Sequence, residues 1–151
     1  LEFTRLKPEQ RLSFERDGFL VVPDALTPEA VDRLVEASDR LAESLLNKPK
    51  LYDRPEYNHL DLRPGILREN ALFALIDHPT TVPLVVQLLS PNIHLHSTTL
   101  IYKRPENPAA EPFRRGWHRD IRIPRDLGHL SLPRVGIKIC YCLTDFHHSD
   151  C

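Results

Sequence analysis

Three places in the chain set a histidine two residues before an aspartate: His59-Leu60-Asp61, His118-Arg119-Asp120 and His148-Ser149-Asp150. On an extended strand, residues i and i+2 project from the same side, so each pair could offer an imidazole and a carboxylate to one cation. Two histidines and one carboxylate on a single face of a metal leave the opposite positions open, which is the ligand pattern of non-haem iron(II) oxygenases. Histidine and aspartate are common enough here that the pattern alone does not choose among the three. Context has to decide.

His59 and Asp61 fall in a proline-containing excursion where no regular strand is expected to hold the two side chains, and a metal site depends on that rigidity. His148 and Asp150 follow a long apolar run, in a polar stretch typical of a turn. His118 and Asp120 lie between two expected strands and beside Trp117, whose ring could shield a pocket from water. They are the candidate metal ligands.

Other residue types here have chemistry available but plainer readings. His94 and His96 alternate along a strand and could bind metal, although solvent-facing histidines fit the pattern as well. Cys140 and Cys142 read as reduced thiols that pack. A zinc site formed by these two with His147 and His148 would need a Cys-x-Cys spacing that matches no common zinc motif. Arg115, Arg119 and Arg122 could attract an acidic substrate, and a solvated strand edge explains them equally well.

The elements that must position these residues begin with helices. Pro8 suits a first helical turn and Gly18 a stop, which predicts a helix over 8–17, although Leu12 and Phe14 share no face. Phe19-Leu20-Val21-Val22, closed by Pro23, reads as a short buried strand. Thr27 can cap a helix with Pro28 at its first position, and Ala30, Leu34, Ala37, Leu41 and Leu45 trace its apolar stripe. Asn47 to Gly65, with three prolines, reads as a surface excursion. Helices are expected over 68–77 and 81–89, the second with Pro83 in its first turn.

Strands follow. Ile93 to Lys103 is rich in β-branched residues and places Ile93, Leu95, Ser97, Thr99 and Ile101 on one face. Arg134 to Thr144 is the second long strand, with a short one over 114–120 between them. Helices before strands imply an α+β arrangement with antiparallel pairing. One domain is expected over 1–151, mainly helical over 1–92 and carrying the first strands and the metal motif over 93–151.

The 20 basic and 21 acidic side chains nearly balance and form no long basic run, which argues against nucleic acid as a partner. No apolar stretch has membrane-spanning length, and three cysteines make no disulfide framework. A cytoplasmic protein acting on a small molecule is the expectation, with oligomeric state open.

Several segments together resemble the phytanoyl-CoA dioxygenase family of iron(II) and 2-oxoglutarate-dependent oxygenases. Phe14-Glu15-Arg16-Asp17-Gly18-Phe19-Leu20-Val21-Val22-Pro23 with Leu26-Thr27-Pro28-Glu29 is similar to the family's N-terminal signature. Leu88-Leu89-Ser90-Pro91-Asn92-Ile93, with the strand through Tyr102-Lys103-Arg104-Pro105, looks like the strand before the metal motif. Trp117-His118-Arg119-Asp120 and the run from Ile137 to Asp145 complete the series in the family's order.

The resemblance implies a double-stranded β-helix, a cupin-like jelly roll with N-terminal helices, in which His118 and Asp120 bind iron. It implies co-substrate contacts from Thr99 and Tyr141, and Ile101 shares the face of Thr99. The cofactor set would be Fe(II), 2-oxoglutarate and O₂, and the reaction hydroxylation of an unactivated C–H bond. The third ligand, a distal histidine, and the arginine for the co-substrate's far carboxylate are expected beyond Cys151, so the C-terminal part of the fold would be missing. A jelly-roll domain that binds a small acid or metal without turnover is the alternative, and an ordinary hydrogen-bonded strand around Trp117, His118 and Asp120 is a second.

Overall fold

A threonine followed by proline and then an apolar stripe is a strong local instruction for a helix, and the chain obeys it. In a computed structural model, which describes residues 3–45, 53–54, 59–63, 65–103 and 134–145, helix α2 spans Pro28–Leu45. The Thr27 hydroxyl accepts from the Ala30 N–H at 3.3 Å. Leu34, Ala37, Leu41 and Ala42 are buried along one side, as the stripe predicts. The Ser38 hydroxyl, also buried, donates to the Leu34 carbonyl at 2.7 Å and so leaves no orphan donor.

Two compact units divide the chain. In its described residues, the first comprises 3–20, 79–93 and 134–140. It contains α1 (Pro8–Asp17) and α3 (Val82–Leu88). Helix α1 starts on Pro8, as expected, and stops at Gly18, whose φ of 80° is the left-handed cap that glycine adopts without strain. It buries none of its residues, in line with its lack of an apolar face.

The Gln87 side chain takes over part of what burial would do. It accepts from the Leu6 N–H at 3.0 Å and donates to the Thr4 and Pro83 carbonyls at 2.9 and 2.8 Å. Arg11 donates to the Gln87 carbonyl at 2.9 Å. Arg134 donates to the Leu88 carbonyl, pairs with Glu15 at 2.8 Å and lies over the Phe14 ring at 4.8 Å.

The second unit comprises 21–45, 53–54, 59–63, 65–78, 94–103 and 141–145 among its described residues. Its sheet has the order β1-β2-β3, with β1 Asp53–Arg54, β2 His59–Leu62 and β3 Leu100–Lys103, all antiparallel. In β2 and β3, Asp61 stands opposite Ile101 and Leu62 opposite Leu100. Leu62 is fully buried with Leu41 of α2, and Leu100 packs against them. Leu34, Ile66 and Leu72 form the other cluster, joined by Leu26, Leu75 and Leu143. Helices with an antiparallel sheet match the α+β expectation.

Several expectations are corrected. The stretch expected to be a structureless excursion contains β1 and β2; its alternation His-Leu-Asp-Leu was a strand signal outweighed by the flanking prolines. Phe19 to Val22 pairs with no strand among the described residues: Phe19 and Val21 are 62% and 72% exposed, and Asp24 turns the chain at φ 54° directly after Pro23. In place of an α-helix over 68–77 there are two 3-10 helices, Gly65–Leu67 and Asn70–Leu75. Their three-residue period puts Leu72 and Leu75 on one side, both in the core, and leaves Phe73 exposed. Only Leu100–Lys103 of the expected strand 93–103 pairs, and 134–145 joins no ladder among the described residues. The expected strand over 114–120 lies outside the described residues, as do Arg115, Trp117, Arg119, Arg122, His147, His148 and Asp150.

Candidate functional site

Alternation along β3 separates two jobs. Leu100 turns toward α2 and the core, and the Tyr102 hydroxyl donates to the Asp39 carboxylate of the same helix. Residues of the opposite parity face away: Thr99 is exposed and Ile101 is 58% exposed. Ile101 in β3 and Thr99 just before it are thus both exposed, on the side that the described core leaves uncovered.

The antiparallel register and one side-chain contact add two residues to that face. Asp61 is directly opposite Ile101, and cross-strand partners share a side of the sheet. Arg63, the residue directly after β2, joins it through its contact with Asp61. Arg63 Nε donates to Asp61 Oδ1 at 2.9 Å; the Arg63 side chain is 69% exposed while that of Asp61 is only 10% exposed. A guanidinium held by one nitrogen keeps other N–H donors pointing into the open, where they suit a carboxylate. In the sequence Asp61 was weighed only as a metal ligand with His59, and Arg63 was not singled out, because strand β2 was not expected.

Beside Thr99, the Thr98 hydroxyl is buried without a hydrogen-bond partner among the described residues. Tyr141 belongs to the same unit. Its hydroxyl donates to the Leu75 carbonyl at 3.3 Å and its ring meets His78 edge-on at 5.9 Å. Just beyond it, Val31, Cys142, Leu143, Thr144 and Asp145 line an open groove of about 540 Å³. Cys140 and Cys142 are both exposed, which corrects their expected role in packing. His94 and His96 are both exposed, their ring centroids 6.4 Å apart.

His118 and Asp120 lie outside the described residues. Among those described, no group of three or more His, Cys, Asp and Glu side chains is placed to hold a metal ion. His59 and Asp61, the rival pair, do lie on a strand, but the Asp61 carboxylate is already engaged by Arg63. Tyr102 is the group of the sheet whose acidity is clearly altered: its hydrogen bond to Asp39, then burial, then the negative charges of Asp39 and Glu43 all raise its pKa. No described helix is long and apolar enough to cross a membrane.

The family model described as phytanoyl-CoA dioxygenase (PhyH) matches residues 14–150. The chain is also 28% identical over 144 residues to the ectoine dioxygenase of Nocardia farcinica (strain IFM 10152), an alignment that covers 91% of this chain and 45% of that protein. It thus spans less than half the length of this curated relative. No solved structure gives a significant match. With a family match that runs through all but the first residues and takes in the Trp117-His118-Arg119-Asp120 segment, the chain belongs to the phytanoyl-CoA dioxygenase (PhyH) family.

Proposed function

We propose that this chain carries the first part of the catalytic domain of a non-haem iron(II)- and 2-oxoglutarate-dependent dioxygenase that hydroxylates an unactivated C–H bond of a small organic substrate. The observation that carries the reading is the family match across residues 14–150, which includes the one His-x-Asp pair flanked by a tryptophan. The donor set fits the metal: an imidazole and a carboxylate are two of the three groups of an iron(II) facial site, and His118 and Asp120 would hold the ion. Iron(II), with 2-oxoglutarate and O₂, supplies the oxidising power needed to break a C–H bond.

The chain's own part is binding and orientation. Thr99 offers a hydroxyl donor for a carboxylate oxygen, and Ile101 beside it offers apolar surface that keeps water from the same pocket. Arg63, steadied by Asp61, gives that face a positive group for an acidic ligand. Tyr141 is the further co-substrate contact. The fold proposed for the whole domain is the cupin-like jelly roll, with α2 backing the sheet. Cys140 and Cys142 form no disulfide among the described residues, which suits a reducing compartment, and the cytoplasm is the proposed location.

The test is succinate release from 2-oxoglutarate by the full-length protein, loaded anaerobically with iron(II) and offered a panel of small organic substrates that includes ectoine. H118A and D120A are each expected to lower substrate-dependent succinate formation by at least about 10²-fold. Equal turnover in D120A would remove the site assignment. Absence of turnover over the whole panel, with tight binding of 2-oxoglutarate retained, would favour a binding domain without catalysis.

A further inference from the structure

His94 and His96 take no part in the reading above. They are two residues apart, both exposed, and their rings meet edge to face with centroids 6.4 Å apart and planes at 72°. That separation places the two imidazoles side by side. The geometry points to a second metal site: a two-histidine chelate for a borderline divalent transition-metal ion such as zinc(II), nickel(II) or copper(II).

The distances are close to what such a chelate needs. With metal–nitrogen bonds of about 2.0–2.1 Å, two imidazoles at a tetrahedral angle on one ion have centroids roughly 5 Å apart. The observed 6.4 Å must therefore close by a little over ~1 Å. Both side chains are exposed, so rotation about their own torsions can supply this without moving packed neighbours. Imidazole nitrogen selects for zinc, nickel and copper, whereas magnesium and calcium demand oxygen ligands that this pair lacks. Two protein donors leave the remaining positions to water, so the site is expected to be exchangeable rather than structural.

The experiment is a zinc(II) titration of the full-length protein in its H118A/D120A form, which removes the iron pair as a competitor, followed through the ring-proton NMR signals of each histidine. The expected result is that the His94 and His96 signals move together and saturate at one ion per chain. Because two donors on one short segment act as a bivalent ligand, H94Q and H96Q should each weaken that uptake on the order of 10²-fold. Both positions are exposed, so the variants should keep the parent's far-UV circular dichroism. Two results would overturn the assignment: His94 and His96 signals that respond independently or not at all, or zinc affinity unchanged in both glutamine variants.

Discussion

The two compact units are held together by different physics. Around α1 and α3, the buried Pro83, Leu84 and Leu88 of α3 are joined by a few directed polar contacts: Gln87 ties Thr4 and Leu6, and Arg134 reaches Leu88, Glu15 and Phe14. Helix α1 contributes no buried residue. Around α2 and the sheet, cohesion comes from close-packed leucines, with Leu62 fully buried and Leu34, Leu41 and Leu72 nearly so. The first arrangement is specific but can be lost one bond at a time; the second spreads its stability over area and resists salt.

That contrast breaks down if the following substitutions do not rank as stated. L62A, in the leucine-packed unit, has the largest expected effect: about 2–5 kcal/mol lost in chemical denaturation, because the side chain has no solvent-exposed surface and leaves a cavity. Q87A comes next at about 1–2 kcal/mol, since three contacts go and the α1 terminus loses its tether. R134M should cost a similar or smaller amount, and part of its effect should vanish in high salt, where the Glu15 pair is screened. T98V should run the other way and raise stability by roughly 1 kcal/mol, because a buried hydroxyl with no partner among the described residues is replaced by an isosteric methyl.

The smallest effect belongs to Y102F, below about 1 kcal/mol, because Tyr102 sits at the rim of the sheet. Its value lies in its pH dependence. The phenol's pKa is raised in the folded state, so its contribution is fully present below the unfolded phenol's range and is lost as pH rises through the elevated folded value. Unfolding curves of wild type and Y102F should therefore converge in strongly alkaline buffer. If the gap between them does not change with pH, the Asp39 contact is not what holds this end of β3 to α2.

The same division explains what could be read in advance. Helices announce themselves locally: Pro8 and Gly18 bracket α1, Thr27 and Pro28 start α2, and Pro83 sits in the first turn of α3. A strand is defined by its partner, and no local pattern names the partner. Phe19 to Val22 and 134–144 had strand-like composition and no ladder among the described residues, whereas His59 to Leu62 looked too polar and too close to prolines yet pairs on both sides. At the site, Thr99 and Ile101 are both exposed. Arg63, and Asp61 as its partner, could be added only once strand β2 and their contact were known. The family was legible because it rests on ordered motifs, which survive uncertainty about which strands pair.

Strand β2 and the residue after it set a sealed leucine between two charged side chains turned the other way. In the proposed acid-binding role, drift at 61 and 63 would retune which acids are favoured while 62 keeps the scaffold intact. Selection for a new ligand and selection for a folded chain would thus act here on neighbouring codons without competing.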